Sequence, residues 1–269
     1  MAPRLRLVQR IAALALACAA AGAIARESTL TFVACPVYRD TNAGRKSGCW
    51  LANEESTGIR YDITQGRTKP QLGREVLVEG RRESGIGLEG VSPKETPCGG
   101  IPLAPVVVSV LDSQCPSFML PAEGFAGRRF VLDPKVVLAP ADVPEQAPPP
   151  PYRPRSWSIE FTFGSDFLQY QYSEIILDEI GRYIRASHPR EVEITGYAVT
   201  ERRVVSEHVL AEKSELARSR AERVALALRR LGATDSMLRV SWRENPAPIA
   251  QANELPEPSR RRVDIHLSY

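Results

Sequence analysis

The side chains best able to do covalent chemistry here are five cysteines: Cys18, Cys35, Cys49, Cys98 and Cys115. Cys18 sits inside an apolar N-terminal run, after Ala15-Leu16-Ala17, and apolar residues continue past it, which is a poor lipid-attachment context. The other four lie in the first half of the chain and none lies beyond. An even count confined to one half of the chain reads as two disulfides if the compartment is oxidising. Pairing sequence neighbours would give Cys35–Cys49 and Cys98–Cys115, although spacing alone leaves all three connectivities open. A zinc site fits less well. There is no C-x-x-C pair, and His188, His208 and His266 all fall in the other half. Cys98-Gly99-Gly100 could present a reactive thiol, but structural use of all four cysteines is the simpler expectation.

No other constellation supports catalysis. The serines lack a nucleophile-elbow context, and the three histidines are scattered, with His188 ahead of a proline and His266 in the last apolar segment. Asp166, Asp178 and Glu179 do not make an acid pair for glycoside cleavage. Gly85-Ile-Gly87-Leu-Glu-Gly90 has the dinucleotide spacing, but Val-Ser-Pro-Lys-Glu-Thr-Pro97 follows and cannot open a phosphate-binding helix. A non-catalytic protein without cofactor or metal is therefore expected.

The elements around these residues place them in a compartment. Arg4, Arg6 and Arg10 precede an apolar run from Ile11 to Ala21, and Ala23-Ile24-Ala25 offers a small-x-small cleavage site, so residues 1–25 read as an export signal. The run is shorter than the roughly 20 residues of a membrane span, and the mature chain is expected to have none. The formal net charge is +3. Because the signal carries three arginines and no acid, the remainder is neutral, and the basic pI is no argument for nucleic acid. The expected location is the periplasm, in association with the outer membrane or cell wall.

Composition divides the rest. Residues 26–137 contain short β-branched segments: Thr29–Cys35, Gly58–Thr64, Arg74–Gly80 and Val106–Leu111. Turn signals separate them and no long amphipathic helix interrupts them. This suggests a small disulfide-bonded β-domain, of the closed OB-barrel type. Residues 138–155 are proline-rich and should form an extended spacer. From residue 156 the periodicity changes. Trp157–Phe163 alternates as a strand, Tyr172–Ser187 repeats as a helix and Glu191–Tyr197 alternates again. A second helix is expected from about Glu207 to Leu231 with Gly232 beyond its end, and Met237–Trp242 and Arg262–Leu267 complete a βαβαββ order. The fold class is α+β, with an α/β sandwich following the β-domain.

That order resembles the OmpA-like C-terminal domain family over about residues 156–267. Phe161-Thr-Phe163-Gly-Ser165 resembles its first strand and exit, and Val192-Glu-Ile-Thr-Gly196-Tyr197 the strand entering its G-[HY]-T-D motif. Leu216-Ala-Arg-Ser-Arg220-Ala221-Glu-Arg-Val224 resembles its L-S-x-x-R-A-x-x-V helix, and Arg261-Arg262-Val263-Asp264-Ile265 its closing strand. The resemblance implies peptidoglycan binding through diaminopimelate, whose ammonium meets the motif aspartate and whose carboxylate meets the motif arginine. Arg220 falls on the arginine, within a site that would include Gly196, Tyr197 and Arg261. The aspartate position is Val199, the asparagine position is Lys213, and the loop between the motifs is longer than in the family. Glu201 or Glu207 in that loop would be the acids to restore the missing charge. The implied role is a wall-associating envelope protein whose β-domain, held off by the spacer, contacts another envelope component. The alternatives are a protein-interaction module with a degenerate glycan site and an exported enzyme with its site in the β-domain.

Overall fold

A computed structural model describes residues 29–40, 48–82, 98–121, 148–249 and 255–269. The expected export signal, the glycine motif at 85–90 and the expected spacer up to residue 147 lie outside the described residues. No helix among those described is long and apolar enough to cross a membrane.

The N-terminal unit is all β: β1 (Leu30–Ala34), β2 (Pro36–Arg39), β3 (Cys49–Glu54), β4 (Ile59–Asp62), β5 (Arg74–Arg82), β6 (Ile101–Gln114) and β7 (Phe118–Leu120). They form one seven-stranded sheet in the order β1-β5-β6-β4-β3-β2-β7. Two chain segments serve both halves of it. The run β1–β2 turns at Cys35-Pro36, so that Ala34 pairs with Val76 while Pro36 pairs with Ala52. The 14-residue β6 pairs with β4 at its start and with β5 along its length. Strands shared in this way curl a sheet around an apolar interior, here Phe32, Ala52, Tyr61, Ile63, Val76, Val78, Leu103 and Val108, all fully buried. Among the described residues no pairing joins β1 to β7. The expected closed barrel is met only as a curved half-barrel. Its disulfide is Cys49–Cys98, with Cα atoms 5.8 Å apart, while Cys35 and Cys115 are thiols. The neighbour pairing expected from sequence is thus corrected: Cys49 opens β3 and is buried against Cys98, next to Val37 and Leu51, whereas Cys35 lies at the β1–β2 turn on another part of the sheet.

The C-terminal unit holds β8 (Arg155–Glu160), α1 (Tyr172–Ser187), β9 (Glu191–Ala198), β10 (Arg203–Val205), β11 (His208–Leu210), α2 (Glu215–Arg230), β12 (Leu238–Glu244), α3 (Pro256–Ser259) and β13 (Arg262–Ser268). The main sheet runs β12-β9-β13-β8, with β12 parallel to β9 and β13 antiparallel to both β9 and β8. Helices α1 and α2 bury Leu177, Ile180, Ile184, Ala221, Val224 and Leu228 against Ile159, Val192, Ile194 and Ile265 of the sheet. Helix α1 spans the expected residues. It ends where His188 turns left-handed at φ 45° and donates its N–H to Ile184 O, just before Pro189. Helix α2 starts eight residues later than expected. The β-branched pair Val204-Val205 and Val209 instead form a hairpin, closed at Ser206 and Glu207, both with positive φ.

The two units pack directly on each other, so the expectation that the spacer holds them apart is corrected. Val33, Leu77 and Leu111 of the half-barrel meet Val205, Leu210 and Phe163. Glu79 of β5, fully buried, accepts hydrogen bonds from Arg261 at 2.5 Å and Arg203 at 2.6 Å. Burial alone would raise the Glu79 carboxyl, but the charges and hydrogen bonds of Arg261 and Arg203 outweigh it and hold its pKa below the ordinary range. Ser109 and Ser206 hydroxyls accept the backbone N–H groups of Phe163 and Val33 across the same boundary.

Candidate functional site

Helix α2 carries Arg220 on its buried face, between Ala217 and Val224. That face lies almost in contact with β9 because residue 196 is glycine: a Cβ there would come 2.1 Å from Ala217 O and 2.9 Å from Ala221 Cβ. Gly196 therefore sets the depth at which the arginine enters the fold. The side chain then reaches the loop after β8 and the end of β9, and its guanidinium is fully buried.

A guanidinium has five N–H donors, and each has an acceptor. Nε donates to Ser165 O at 2.9 Å. Nη1 donates to Tyr197 O at 2.7 Å and Glu212 Oε2 at 3.0 Å. Nη2 donates to Thr162 O at 3.3 Å and Glu212 Oε1 at 2.6 Å. The Glu212 carboxylate is equally complete. Besides the two-pronged contact with Arg220, Oε1 accepts the N–H of Gly164 and Oε2 that of Val199, both at 2.9 Å. Its side chain has no exposed surface. Two backbone donors and a forked guanidinium converging on one carboxylate make a carboxylate-binding cage, and in this structure its occupant belongs to the chain itself.

The five residues singled out from sequence divide here. Gly196, Tyr197, Val199 and Arg220 meet at the cage, but through backbone as much as side chain. Tyr197 offers its carbonyl. Strand alternation turns its ring to the opposite sheet face, where Arg262 lies over it at 4.8 Å. There burial, and then the Asp264 charge, push its phenol up. Val199 gives its N–H to Glu212 Oε2 and its C=O to the N–H of Glu212 at 2.8 Å. Arg261 is elsewhere, in the ion pair with Glu79 that joins the two units. Of the loop acids, Glu201 binds Arg260 at 2.6 Å on the surface. Glu207 occupies the hairpin turn. Neither is among the five acceptors of Arg220. Glu212, adjacent to the exposed Lys213, was the acid that sequence reasoning missed; it sits in a loop with no periodicity to mark it as buried. Asp166, at the outer side of the site, is held by Ser219 and by Arg223 at 2.8 Å. Burial would raise its carboxyl, but these two partners bring it below the usual value.

Comparison with known proteins finds similarity over the C-terminal unit. A family model described as the OmpA family matches residues 160–262. No curated protein matches the chain. Among solved structures, the peptidoglycan-associated lipoprotein from Burkholderia pseudomallei is 28% identical, with 41% of this chain and 89% of that one covered and a TM-score of 0.32. The cell wall anchor of the T6SS from Pseudomonas aeruginosa is 19% identical, with 43% and 81% covered and a TM-score of 0.32. The OmpA-like domain of FopA1 from Francisella tularensis subsp. tularensis SCHU S4 is 16% identical, with 42% and 71% covered and a TM-score of 0.34. Residues 160–262 of this chain form a domain of the OmpA family.

Proposed function

We propose that the protein is a non-catalytic component of the cell envelope whose OmpA-like domain associates with peptidoglycan. On this reading Arg220 takes a wall-peptide carboxylate in competition with Glu212. The observation that carries the proposal is the cage itself. Arg220 and the N–H groups of Gly164 and Val199 already hold a carboxylate in a forked geometry, which is the chemistry that diaminopimelate presents. Val199 supplies no acid for the ligand's ammonium, so native affinity should be low. Losing one charged hydrogen bond costs about 1.5–3 kcal/mol, or roughly ten- to a hundredfold.

One observation favours a second reading, a protein-interaction module with a closed glycan site. All five Arg220 donors are satisfied within the chain, and both members of the ion pair are buried. In either case we assign contact with a second envelope component to the half-barrel, whose edge strand β7 exposes Phe118 and Met119. Cosedimentation with purified sacculi separates the two readings. The first expects weak binding that free diaminopimelate competes away and that Arg220→Ala abolishes. Absence of any sacculus binding by the folded protein would favour the second.

A further inference from the structure

Cys35 and Cys115 were expected in disulfides, yet both are thiols beside a sheet that has already formed Cys49–Cys98. The topology brings them together from opposite sides of one strand. Cys35 follows β1, whose last residue pairs with Val76 of β5. Cys115 follows β6 and donates its N–H to Gly73 O, just before β5, at 3.1 Å. At that end of β5 Cys35 is close enough to Cys115 to raise the pKa of its thiol.

Their surroundings give access. Cys35 lines a groove of about 380 Å³ with Val33, Val37, Phe118, Leu120 and His208. Both cysteines are half-buried, in contrast to the disulfide-bonded Cys49 and Cys98, at 3% and 1% exposure. Glu75 lies between the two strand ends, where its carboxylate accepts from Ser113 Oγ at 2.5 Å and faces His208 Nε2 at 3.5 Å.

We propose that Cys35 and Cys115 form an exchangeable dithiol–disulfide pair, reached through this groove by a small-molecule or protein disulfide and separate from the structural Cys49–Cys98 bridge. In the first step the Cys35 thiolate attacks one sulfur of the donor disulfide. This gives a mixed disulfide and releases one donor thiolate. In the second, Cys115 loses its proton to solvent and attacks the Cys35 sulfur, releasing the second donor thiolate. The protein loses two electrons and two protons, and the donor disulfide is reduced to two thiols.

The order follows from the environment of Cys115. Burial first, then the neighbouring Cys35, then the Glu75 charge push its thiol up to about 12, so it is protonated at neutral pH and a poor first attacker. Conversion of Cys35 to a mixed disulfide removes the neighbouring thiol that opposes Cys115 ionisation, which favours the second step.

The test uses the full chain, treated with oxidised glutathione at neutral pH and alkylated under denaturing conditions. Digestion by trypsin together with a protease cutting before Asp112 separates Cys98 from Cys115. The expected product is a linked peptide pair joining Cys35 to Cys115, with the Cys49–Cys98 link unchanged. Cys115→Ser should trap glutathione on Cys35, whereas Cys35→Ser should leave Cys115 largely alkylatable. Wild-type Cys35 and Cys115 both still alkylatable after oxidation would overturn the proposal. So would a link from either residue to Cys49 or Cys98, or a Cys115→Ser variant that captures no glutathione. None of these readouts depends on wall binding.

Discussion

Glu212 and Arg220 face each other with both side chains fully buried, the guanidinium forking onto the carboxylate at 2.6 and 3.0 Å. Removing one member of such a pair leaves the other charge uncompensated, at a cost of about 3–5 kcal/mol. Glu212→Ala should therefore destabilise the OmpA-like domain by roughly that amount. Glu212→Gln, which keeps an acceptor oxygen for Arg220, should cost less. Urea unfolding followed by circular dichroism measures both. A loss under about 1 kcal/mol for Glu212→Ala would mean that the ion pair is not closed to water.

The Glu79 cluster predicts a pH dependence. A carboxyl whose folded pKa is depressed contributes stability that is fully present above its unfolded value, about 4.3, and is lost as pH falls through the folded value. The stability that couples the half-barrel to the OmpA-like domain should fall progressively below about pH 4. Glu79→Gln should be less stable at neutral pH and lose most of this acid dependence. Unfolding midpoints that change with pH equally in wild type and Glu79→Gln would contradict the assignment.

Gly196 is predicted to be intolerant of any side chain. A Cβ at 2.1 Å from Ala217 O cannot be accommodated unless α2 moves away from β9. Gly196→Ala should cost about 1–3 kcal/mol or more by overpacking. It should also loosen Arg220, which hydrogen exchange at the α2 amides would detect. Wild-type stability and exchange in Gly196→Ala would refute the close packing.

Opening Cys49–Cys98 should destabilise the half-barrel. The bridge closes a loop of 49 residues, for which loop entropy suggests about 4 kcal/mol. Cys49→Ser with Cys98→Ser should show this as a lowered denaturation midpoint. Because Glu79 and Leu77 also meet the OmpA-like domain, the loss should reach the interface rather than stop at the half-barrel. Unchanged stability in the double variant would argue against a structural role for the bridge.

How much of this was legible in sequence depended on whether a residue's neighbours are local. Helix α1 was readable to its ends, since Ile180 and Ile184 recur on one face and His188-Pro189 stops it. The start of α2 was not, because the stretch before it also suited a helix until Ser206 and Glu207 adopted positive φ and turned it into a hairpin. Strand β5 alternates, so Glu79 reads as a solvent-facing residue. It is buried because the other unit packs on it, with Arg261, 182 residues away, and Arg203 as its partners. Arg220 could be located by motif, but its carboxylate partner could not. Glu212 lies eight positions earlier, in a loop, and nothing local distinguishes it from Glu201 or Glu207.

For the same reason Val199→Asp alone should not restore strong wall binding. It would place a second carboxylate beside Glu212 Oε2, which the Val199 N–H already approaches at 2.9 Å, and like charges there repel. The gain should appear only when the internal carboxylate is also removed, in Val199→Asp with Glu212→Gln. Sedimentation with sacculi compares the three proteins, and an equal gain from Val199→Asp by itself would contradict this ordering.

The most direct test of the central claim is sacculus cosedimentation of Glu212→Gln and Glu212→Ala against wild type, at physiological salt where non-specific surface attraction is screened. Circular dichroism would establish that each variant is folded. If Glu212 occupies a carboxylate site that the wall peptide can use, removing its charge should raise affinity by roughly ten- to a hundredfold. Adding Arg220→Ala to either variant should abolish the gain. Folded Glu212 variants that bind sacculi no better than wild type, or a gain that survives Arg220→Ala, would contradict the account.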